Sequence, residues 1–212
     1  MCGTTRLEDA AYAASLGVDA LGFIFARKSP RYIEPERARQ IIAHLPPFVA
    51  RVGVFVNSDL PQVKEVTASA GLTQVQLHGS ETVDYCRELK NWNSSLTVCK
   101  AFSLGTETSF PDIGAYNDAI DCLLFDTYVK GKDGGTGRVF DWSLVERLCP
   151  TKPLILAGGL NPDNVVEAIR TVDPYAVGVN SGVEDRPGIK NHEQLRKLVF
   201  RVRQMEMQNS VI

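Results

Sequence analysis

The chain alternates between short apolar runs and stretches in which apolar residues recur with helical spacing. The apolar runs occupy residues 20–25, 49–56, 74–78, 96–102, 122–126, 153–157 and 176–179. Between them, largely apolar positions follow i, i+3, i+4, i+7 spacing in four groups: Ala38, Ile41, Ile42 and Leu45; Val63, Val66, Thr67 and Ala70; Val165, Ala168, Ile169 and Val172; Leu195, Leu198, Val199 and Val202. The runs predict buried strands, and the spaced groups predict helices that bury one face.

Seven strands that alternate with helices predict a parallel sheet, and strands apolar along their length predict burial on both faces. An eighth strand is expected to end at Met1 and Cys2, although a barrel strand normally needs about five residues. We therefore predict a (β/α)8 barrel, residues 1–212 as one domain, with a truncated first strand. Its seam is either completed by residues upstream or closes imperfectly. The stretch 103–119 contains Pro111 and Gly114 but no helical stripe, so the helix after the fifth strand is expected to be short or missing.

Local signals mark several helix ends. Thr5 and Glu8 have capping-box spacing before the first helix, and Gly17 can end that helix. Asn161, which precedes a proline, is expected to cap the helix that contains residues 165–172. Asp141 is expected to cap the helix that follows it.

Composition limits the class of protein. A formal net charge of −2 gives no reason to expect a nucleic acid or an anionic membrane as partner. No apolar run approaches the roughly 20 residues of a membrane span, and no charged-then-apolar leader opens the chain, so a cytoplasmic location is expected. The five cysteines are odd in number and lack CxxC spacing, which predicts free thiols and neither a disulfide framework nor a metal site.

The strand 122–126 ends in Asp126 and is followed by a glycine-rich segment, residues 134–137, and by Phe140, Asp141 and Trp142. In a barrel of this kind, catalytic groups lie at the carboxyl ends of the strands. Desolvation at an apolar mouth favours the protonated form of a carboxyl group, which makes Asp126 a candidate general acid. The alternative is that Asp126 only caps a turn.

Three further side chains fall at strand ends or in the loop after a strand. Cys2 could act as a base or nucleophile, or be a small buried apolar residue. Arg31 follows the strand 20–25, where its guanidinium suits a carboxylate or phosphate, or it is a solvated surface arginine. His78 ends its strand and has either a catalytic or a structural role.

Two glycine-containing loops follow the last two strands. Gly158 and Gly159 follow strand seven, and Asn180, Ser181 and Gly182 follow strand eight. Barrels frequently bind phosphate with these two loops, because glycine lets backbone N–H groups approach the anion and a helix N-terminus adds a favourable dipole. The sequence therefore predicts a phosphate site, with plain turns as the alternative.

Taken in order, these segments resemble the phosphoribosylanthranilate isomerase family of tryptophan biosynthesis. The resemblance runs from Cys2 to about Val199 and rests on residues 2–5, 22–25 with 29–32, 52–57, 76–79, Asp126, 134–137 with 140–142, 158–161 and 181–184. It implies a (β/α)8 barrel without cofactor or metal, which binds a small phosphosugar. The implied reaction is the Amadori rearrangement of N-(5-phosphoribosyl)anthranilate to the 1-deoxyribulose 5-phosphate product.

The resemblance also implies roles by position. Asp126 is implied to protonate the ribose ring oxygen, and Cys2 to remove the proton at C2′ of the resulting Schiff base. Arg31 is implied to hold the anthranilate carboxylate, with His78 among the substrate-binding residues. The loops at Gly158-Gly159 and at Asn180-Ser181-Gly182 are implied to hold the phosphate.

Two departures from the family pattern bear on activity: the short start before Cys2, and Gly178, where the family commonly carries aspartate. Two other readings stay open. One is another phosphosugar barrel, such as a pentose-phosphate epimerase or the alpha subunit of tryptophan synthase; the epimerases pair two aspartates around a metal, which the pair Cys2 and Asp126 does not match. The other is an inactive ligand-binding barrel. The chain is expected to be a monomer or a homodimer.

Overall fold

The computed structural model describes residues 1–105, 111–127 and 141–209. Seven parallel strands form one sheet in chain order, and each pairs with the next along the chain. They are β1 (Ala20–Ile24), β2 (Ala50–Phe55), β3 (Gln74–Leu77), β4 (Thr97–Leu104), β5 (Cys122–Thr127), β6 (Leu154–Leu156) and β7 (Ala176–Val177). All seven coincide with predicted apolar runs. A short antiparallel hairpin, β8 (Glu184–Arg186) with β9 (Ile189–Lys190), follows β7.

The amino-terminal residues close the barrel between β1 and the chain after β7. The Gly22 N–H donates to the Met1 carbonyl at 2.8 Å, and the Thr4 N–H donates to the Gly22 carbonyl at 2.9 Å. On the other side, the Cys2 N–H donates to the Val179 carbonyl at 2.8 Å. The first strand is short, as predicted, but its seam is hydrogen-bonded on both sides. The chain is thus a (β/α)8 barrel whose seam is bridged by residues 1–4, although these residues add no strand to the seven-stranded sheet.

The helices cover the outside of the sheet. They are α1 (Leu7–Ser15), α2 (Pro35–Ile42), α3 (Leu60–Ala70), α4 (Val83–Trp92), α5 (Ser143–Leu148), α6 (Val165–Val172) and α7 (His192–Asn209). The predicted stripes are their buried faces, most completely in α3, whose buried residues are Val63, Val66, Thr67 and Ala70. Within the described ranges, no helix has the length and apolar composition needed to cross a membrane.

Side chains at alternate strand positions point to opposite faces of the sheet, so the barrel has an outer core under the helices and an inner core inside the sheet. Outward residues such as Phe23, Leu77 and Leu123 pack in the large core cluster with the helices. The inner cluster consists of small or medium side chains: Cys99, Ala101 and Leu124, with Cys122, Ile155 and Ala157 against them. A Cβ at Gly178 would lie 3.3 Å from Cβ of Ala157 and 3.6 Å from a methyl group of Ile155. Position 178 therefore faces an apolar wall in which glycine fits closely.

The structure tests the predicted helix ends. Between β4 and β5, residues 111–121 hold a single 3₁₀ turn, Gly114–Tyr116, in agreement with the short or missing helix expected there. Gly17 follows α1 with φ of +78°, as expected for a helix end. The capping box was wrong, because the Thr5 hydroxyl donates to the carbonyl of Gly188, 183 residues away.

The other two caps had opposite outcomes. The Asn161 side chain accepts from the N–H of Asp163 at 2.8 Å and forms a local turn, so α6 begins after Asn164 instead. Asp141 accepts from the N–H of Ser143 at 3.0 Å at the start of α5, as predicted.

Candidate active site

Asp126 lies on β5 near the carboxyl end of the barrel. Its side chain is mostly buried, and Oδ1 accepts the N–H of Thr127 at 2.7 Å. A Cβ at Gly158, in the loop after β6, would come within 2.9 Å of Oδ1. Asp126 thus makes the local turn contact that was the alternative reading, while Oδ2 stays directed toward the mouth and His78.

His78 follows β3 and faces Asp126. Its Nε2 lies 3.3 Å from Asp126 Oδ2, a close contact without the alignment of a hydrogen bond. The amide nitrogen of Gln76 lies 2.9 Å from Nδ1 of the same ring. With that amide donating, Nδ1 is the acceptor and Nε2 carries the proton toward Asp126.

Cys2 lies across the mouth, packed on β1. A Cβ at Gly22 would be 2.8 Å from the Cys2 Sγ, so the thiol occupies the space that glycine leaves. Burial raises the pKa of the Cys2 thiol above its ordinary value, and the Asp126 charge raises it further. The charges of Lys190 and of the amino terminus act in the opposite direction on this pKa. The thiol is therefore the resting form near neutral pH.

Alkylation of Cys2 by iodoacetamide is expected to be slow at neutral pH and to accelerate about tenfold per pH unit up to about pH 9, because only the thiolate reacts. Mass spectrometry of the Cys2 peptide measures the rate, with the exposed Cys149 as internal reference. Lys190→Met is expected to slow alkylation of Cys2 and not of Cys149. A Cys2 rate that levels off below pH 8 would contradict the raised pKa.

Arg31 is buried and paired. Its Nε and Nη2 donate to both oxygens of Glu184, the shortest contact being 2.7 Å, and the two side chains are 9% and 3% exposed. Lys190 completes the cluster, with Nζ 2.8 Å from Glu184 Oε1 and 3.0 Å from Asn180 Oδ1. The reading of Arg31 as a solvated surface arginine was wrong, because Glu184 on the hairpin draws it inward.

The cluster stays charged despite its burial. Burial alone would raise the pKa of Glu184, but hydrogen bonds from Arg31 and the charge of Lys190 outweigh it and lower that pKa. Burial lowers the pKa of Lys190, with the Glu184 charge acting against it. Asn180, which was predicted to bind substrate, is held here by Lys190 and lies against Gly3.

Arg31→Ala is expected to lower the free energy of unfolding by about 3 kcal/mol, because it leaves Glu184 with one partner in a buried site. Urea unfolding measures the loss. The control is Arg39→Ala, whose ion pair with Glu36 has similar geometry but is more than half exposed. The control should lose less than about 1 kcal/mol. Equal losses would mean that the Arg31 pair contributes no more than a surface pair.

The two predicted glycine loops meet at the mouth. Gly158 and Gly159 have φ of +85° and +67°, a backbone conformation that favours glycine. Gly182, in the 3₁₀ turn Ser181–Val183, lies so close to the Leu160 carbonyl oxygen that a side chain at position 182 would overlap it. Both loops therefore form one surface beside Asp126. The predicted glycine-rich segment 134–137 and Phe140 lie outside the described residues.

Sequence reasoning missed two buried ion pairs near this mouth, Lys100 with Glu81 and Lys190 with Glu184. Lys100 on β4 pairs with Glu81 at 3.1 Å, and each side chain is 2% exposed. Lys190 and Glu184 were likewise given no role. A signal for Lys100 was present, because a lysine inside the apolar run 96–102 must find a partner if the strand is buried. Among the described residues, no group of three or more His, Cys, Asp or Glu side chains could hold a metal ion.

The comparisons with known proteins agree on one family. A family model described as N-(5'phosphoribosyl)anthranilate (PRA) isomerase matches residues 1–201. A relative from Syntrophus aciditrophicus, an N-(5'-phosphoribosyl)anthranilate isomerase, is 46% identical over 205 residues, which is 97% of this chain and 86% of the relative.

Two solved structures carry the same name. One shows mutually generated monomers of dimeric phosphoribosylanthranilate isomerase from Thermotoga maritima, at 38% identity and a TM-score of 0.80, with 96% of each chain covered. Another holds reduced 1-(o-carboxyphenylamino)-1-deoxyribulose 5-phosphate, at 39% identity and a TM-score of 0.78, again with 96% of each chain covered. The chain therefore belongs to the N-(5'-phosphoribosyl)anthranilate isomerase family.

Proposed function

We propose that the chain converts N-(5-phosphoribosyl)anthranilate into 1-(2-carboxyphenylamino)-1-deoxyribulose 5-phosphate in tryptophan biosynthesis, with Asp126 as general acid and Cys2 as general base. The observation that carries the assignment of roles is that a thiol and a carboxyl group share the barrel mouth. Cys2 Sγ lies against Gly22 of β1, and Asp126 Oδ1 lies against Gly158 in the loop after β6. An aldose-to-ketose shift needs one acid and one base around a bound sugar.

In the proposed first step, Asp126 donates a proton to the ribose ring oxygen. The bond from that oxygen to C1′ breaks, and the anthranilate nitrogen supplies the electron pair that forms a protonated Schiff base. This cationic nitrogen acidifies the C2′ hydrogen, so the small thiolate fraction of Cys2 suffices to remove it.

The second half of the reaction restores both groups. Removal of the C2′ proton gives an enol with a double bond between C1′ and C2′. C1′ then accepts the proton held by Cys2, while the C2′ hydroxyl loses its proton to Asp126. The product is the ketose, and neither a proton nor an electron is left over.

The anthranilate carboxylate is proposed to lie at Arg31. Within the described residues, the hydrogen bonds to Glu184 use Nε and Nη2 of the guanidinium but not Nη1. That nitrogen supports a charge-assisted contact to a second carboxylate. Arg31→Ala is therefore expected to raise KM more than it lowers kcat.

The surface formed by the two glycine loops, with Ser181, is proposed to bind the phosphate. Gly182→Ala is expected to raise KM by about tenfold, because its Cβ would overlap the Leu160 carbonyl and push the loops apart. Steady-state kinetics measures the change. Gly114→Ala is the control, since a Cβ there makes only an ordinary contact of 3.6 Å with Asp112. An unchanged KM in Gly182→Ala would remove this surface from the phosphate site.

The direct test of the function is turnover of freshly prepared phosphoribosylanthranilate, followed by the loss of its fluorescence. Turnover by the purified chain supports the isomerase. Binding of the reduced product analogue without turnover would favour an inactive ligand-binding barrel. Metal-dependent epimerisation of a pentose phosphate would favour the other phosphosugar barrels.

We further propose that residues 1–212 form one domain and that the chain is a monomer or a homodimer. The dimeric relative from Thermotoga maritima supports the homodimer, and sedimentation of the purified chain would distinguish the two. A cytoplasmic location is proposed as well, on the odd number of cysteines and their lack of CxxC spacing. Cell fractionation would test it.

A further inference from the structure

We propose that the buried ion pair of Lys100 with Glu81 is a positioning device that fixes the chain around His78, so that the imidazole faces Asp126. The inference rests on the proposed function, because His78 is assigned a role through its contact with Asp126, the proposed general acid. Neither residue of the pair touches the reacting groups in the described contacts.

Lys100 holds the backbone on both sides of His78. Its Nζ donates to the carbonyls of Leu77 at 3.2 Å and Gly79 at 2.7 Å, and to that of Ala101 at 3.1 Å. The two carbonyls at positions 77 and 79 flank the histidine directly. The end of β3 is therefore fixed to β4 by a single ammonium group.

Glu81 holds the same segment by accepting a hydrogen bond from a backbone N–H group. One carboxylate oxygen accepts the N–H of Gly79 at 2.9 Å and the Lys100 ammonium at 3.1 Å. The other oxygen accepts the N–H of Asn57 at 2.8 Å, in the loop after β2. One carboxylate thus links the loops that follow two neighbouring strands.

Asn57 gives a second, independent sign of constraint. Its φ of +51° lies in the left-handed region, which an asparagine adopts at some cost in energy. Its side-chain Oδ1 accepts from the N–H of Ser80 at 2.7 Å, and it lies too close to Gly79 for any side chain there. Hydrogen bonds therefore hold the loops after β2 and β3 together around Glu81, and His78 lies at the start of the second of these loops.

A role in stability alone does not account for the pair. Burying two charges costs desolvation energy that apolar residues of similar volume would avoid. The pair Lys90 with Asp121 links α4 to the start of β5, at the opposite end of the barrel, and its side chains are 25% and 39% exposed. Of these two pairs, only Lys100 with Glu81 is fully buried, and it lies at the catalytic end. Its hydrogen bonds converge on residues 77–79.

The test uses the full chain with Lys100→Met/Glu81→Gln, which removes both charges together and leaves no unpaired ion. We expect kcat to fall by at least about tenfold with KM within about threefold, because His78 no longer faces the acid Asp126 while the phosphate and carboxylate sites stay intact. Glu81→Gln alone keeps one oxygen that accepts from Gly79 and Lys100 but places its amide NH₂ against the N–H of Asn57, so it should lose less of kcat than the double variant. Lys90→Met is the matched control and should change kcat less than about twofold.

A spectroscopic readout is independent of turnover. In ¹⁵N-histidine-labelled protein, His78 is expected to show a single set of ring shifts with Nδ1 as the acceptor, and averaged ring shifts in the double variant. The spectrum of His78→Gln assigns the signal. Unchanged His78 shifts, an unchanged kcat, or an equal loss of kcat in Lys90→Met would overturn the inference. Absence of turnover by the unmodified chain would refute the proposed function, and the His78 spectra would still decide the positioning role.

Discussion

Asp126→Asn is expected to lower kcat by at least about a hundredfold, within the usual range for a general acid. The amide has the size of the carboxyl group, and its oxygen can still accept the N–H of Thr127 that the structure shows at 2.7 Å. The fold at the end of β5 is therefore retained. What is lost is the proton that opens the ribose ring.

The matched control for this variant is Asp121→Asn. Asp121 precedes the same strand at the opposite end of the barrel, where it accepts from Lys90 and from the N–H of Val98. Its loss should reduce stability and leave kcat within about twofold, as expected for a group far from the chemistry. Stopped-flow loss of substrate fluorescence measures both variants. Near-normal turnover by Asp126→Asn would refute its assigned role.

Cys2→Ala is expected to have an effect of the same size, at least about a hundredfold on kcat, because it removes the proposed base at C2′. The backbone bond from Cys2 to Val179 does not involve the side chain, so the barrel seam stays closed. Cys2→Ser should be impaired as well, since a hydroxyl is a far weaker acid than a thiol and supplies almost no anion.

Cys86→Ala is the control for the loss of a buried thiol. Cys86 lies on α4 and is fully buried in the outer core, where alanine leaves a small cavity without touching the mouth. This variant should lose stability and keep its kcat. If Cys2→Ala and Cys86→Ala had equal turnover, Cys2 would have no role as the base. The double variant of Cys2 and Asp126 should lose less than the product of the single losses, because the two groups act in one reaction.

Much of the fold followed from the sequence because its signals are local. The runs 122–126 and 153–157 predicted β5 and β6 within one residue at each end, since a strand buried on both faces must be apolar throughout. The stripe at Val63, Val66, Thr67 and Ala70 is the buried face of α3. The capping signals were less informative. The Thr5 hydroxyl donates to the Gly188 carbonyl in the distant hairpin, and the residues near Thr5 in the sequence give no signal for that partner.

The location of the candidate groups was also predictable, because every one of them lies at the end of a strand or in the loop that follows it. Asp126, His78 and Arg31 were placed at the mouth by strand direction alone, and the two glycine loops by their order in the barrel. The family resemblance supplied the proposed chemistry, and the match of the family model to residues 1–201 confirmed the family.

The sequence by itself determined the order of strands and helices, their buried faces and the family. Only the tertiary structure decided which charges meet: Arg31 with Glu184, 153 residues apart, and Lys100 with Glu81, between neighbouring strands. It also decided that residues 1–4 close the barrel on both sides. The reason is physical. Hydrophobic periodicity depends on residues that are close in the sequence. An ion pair or the barrel seam depends on the distance between remote segments, which only the folded barrel brings together.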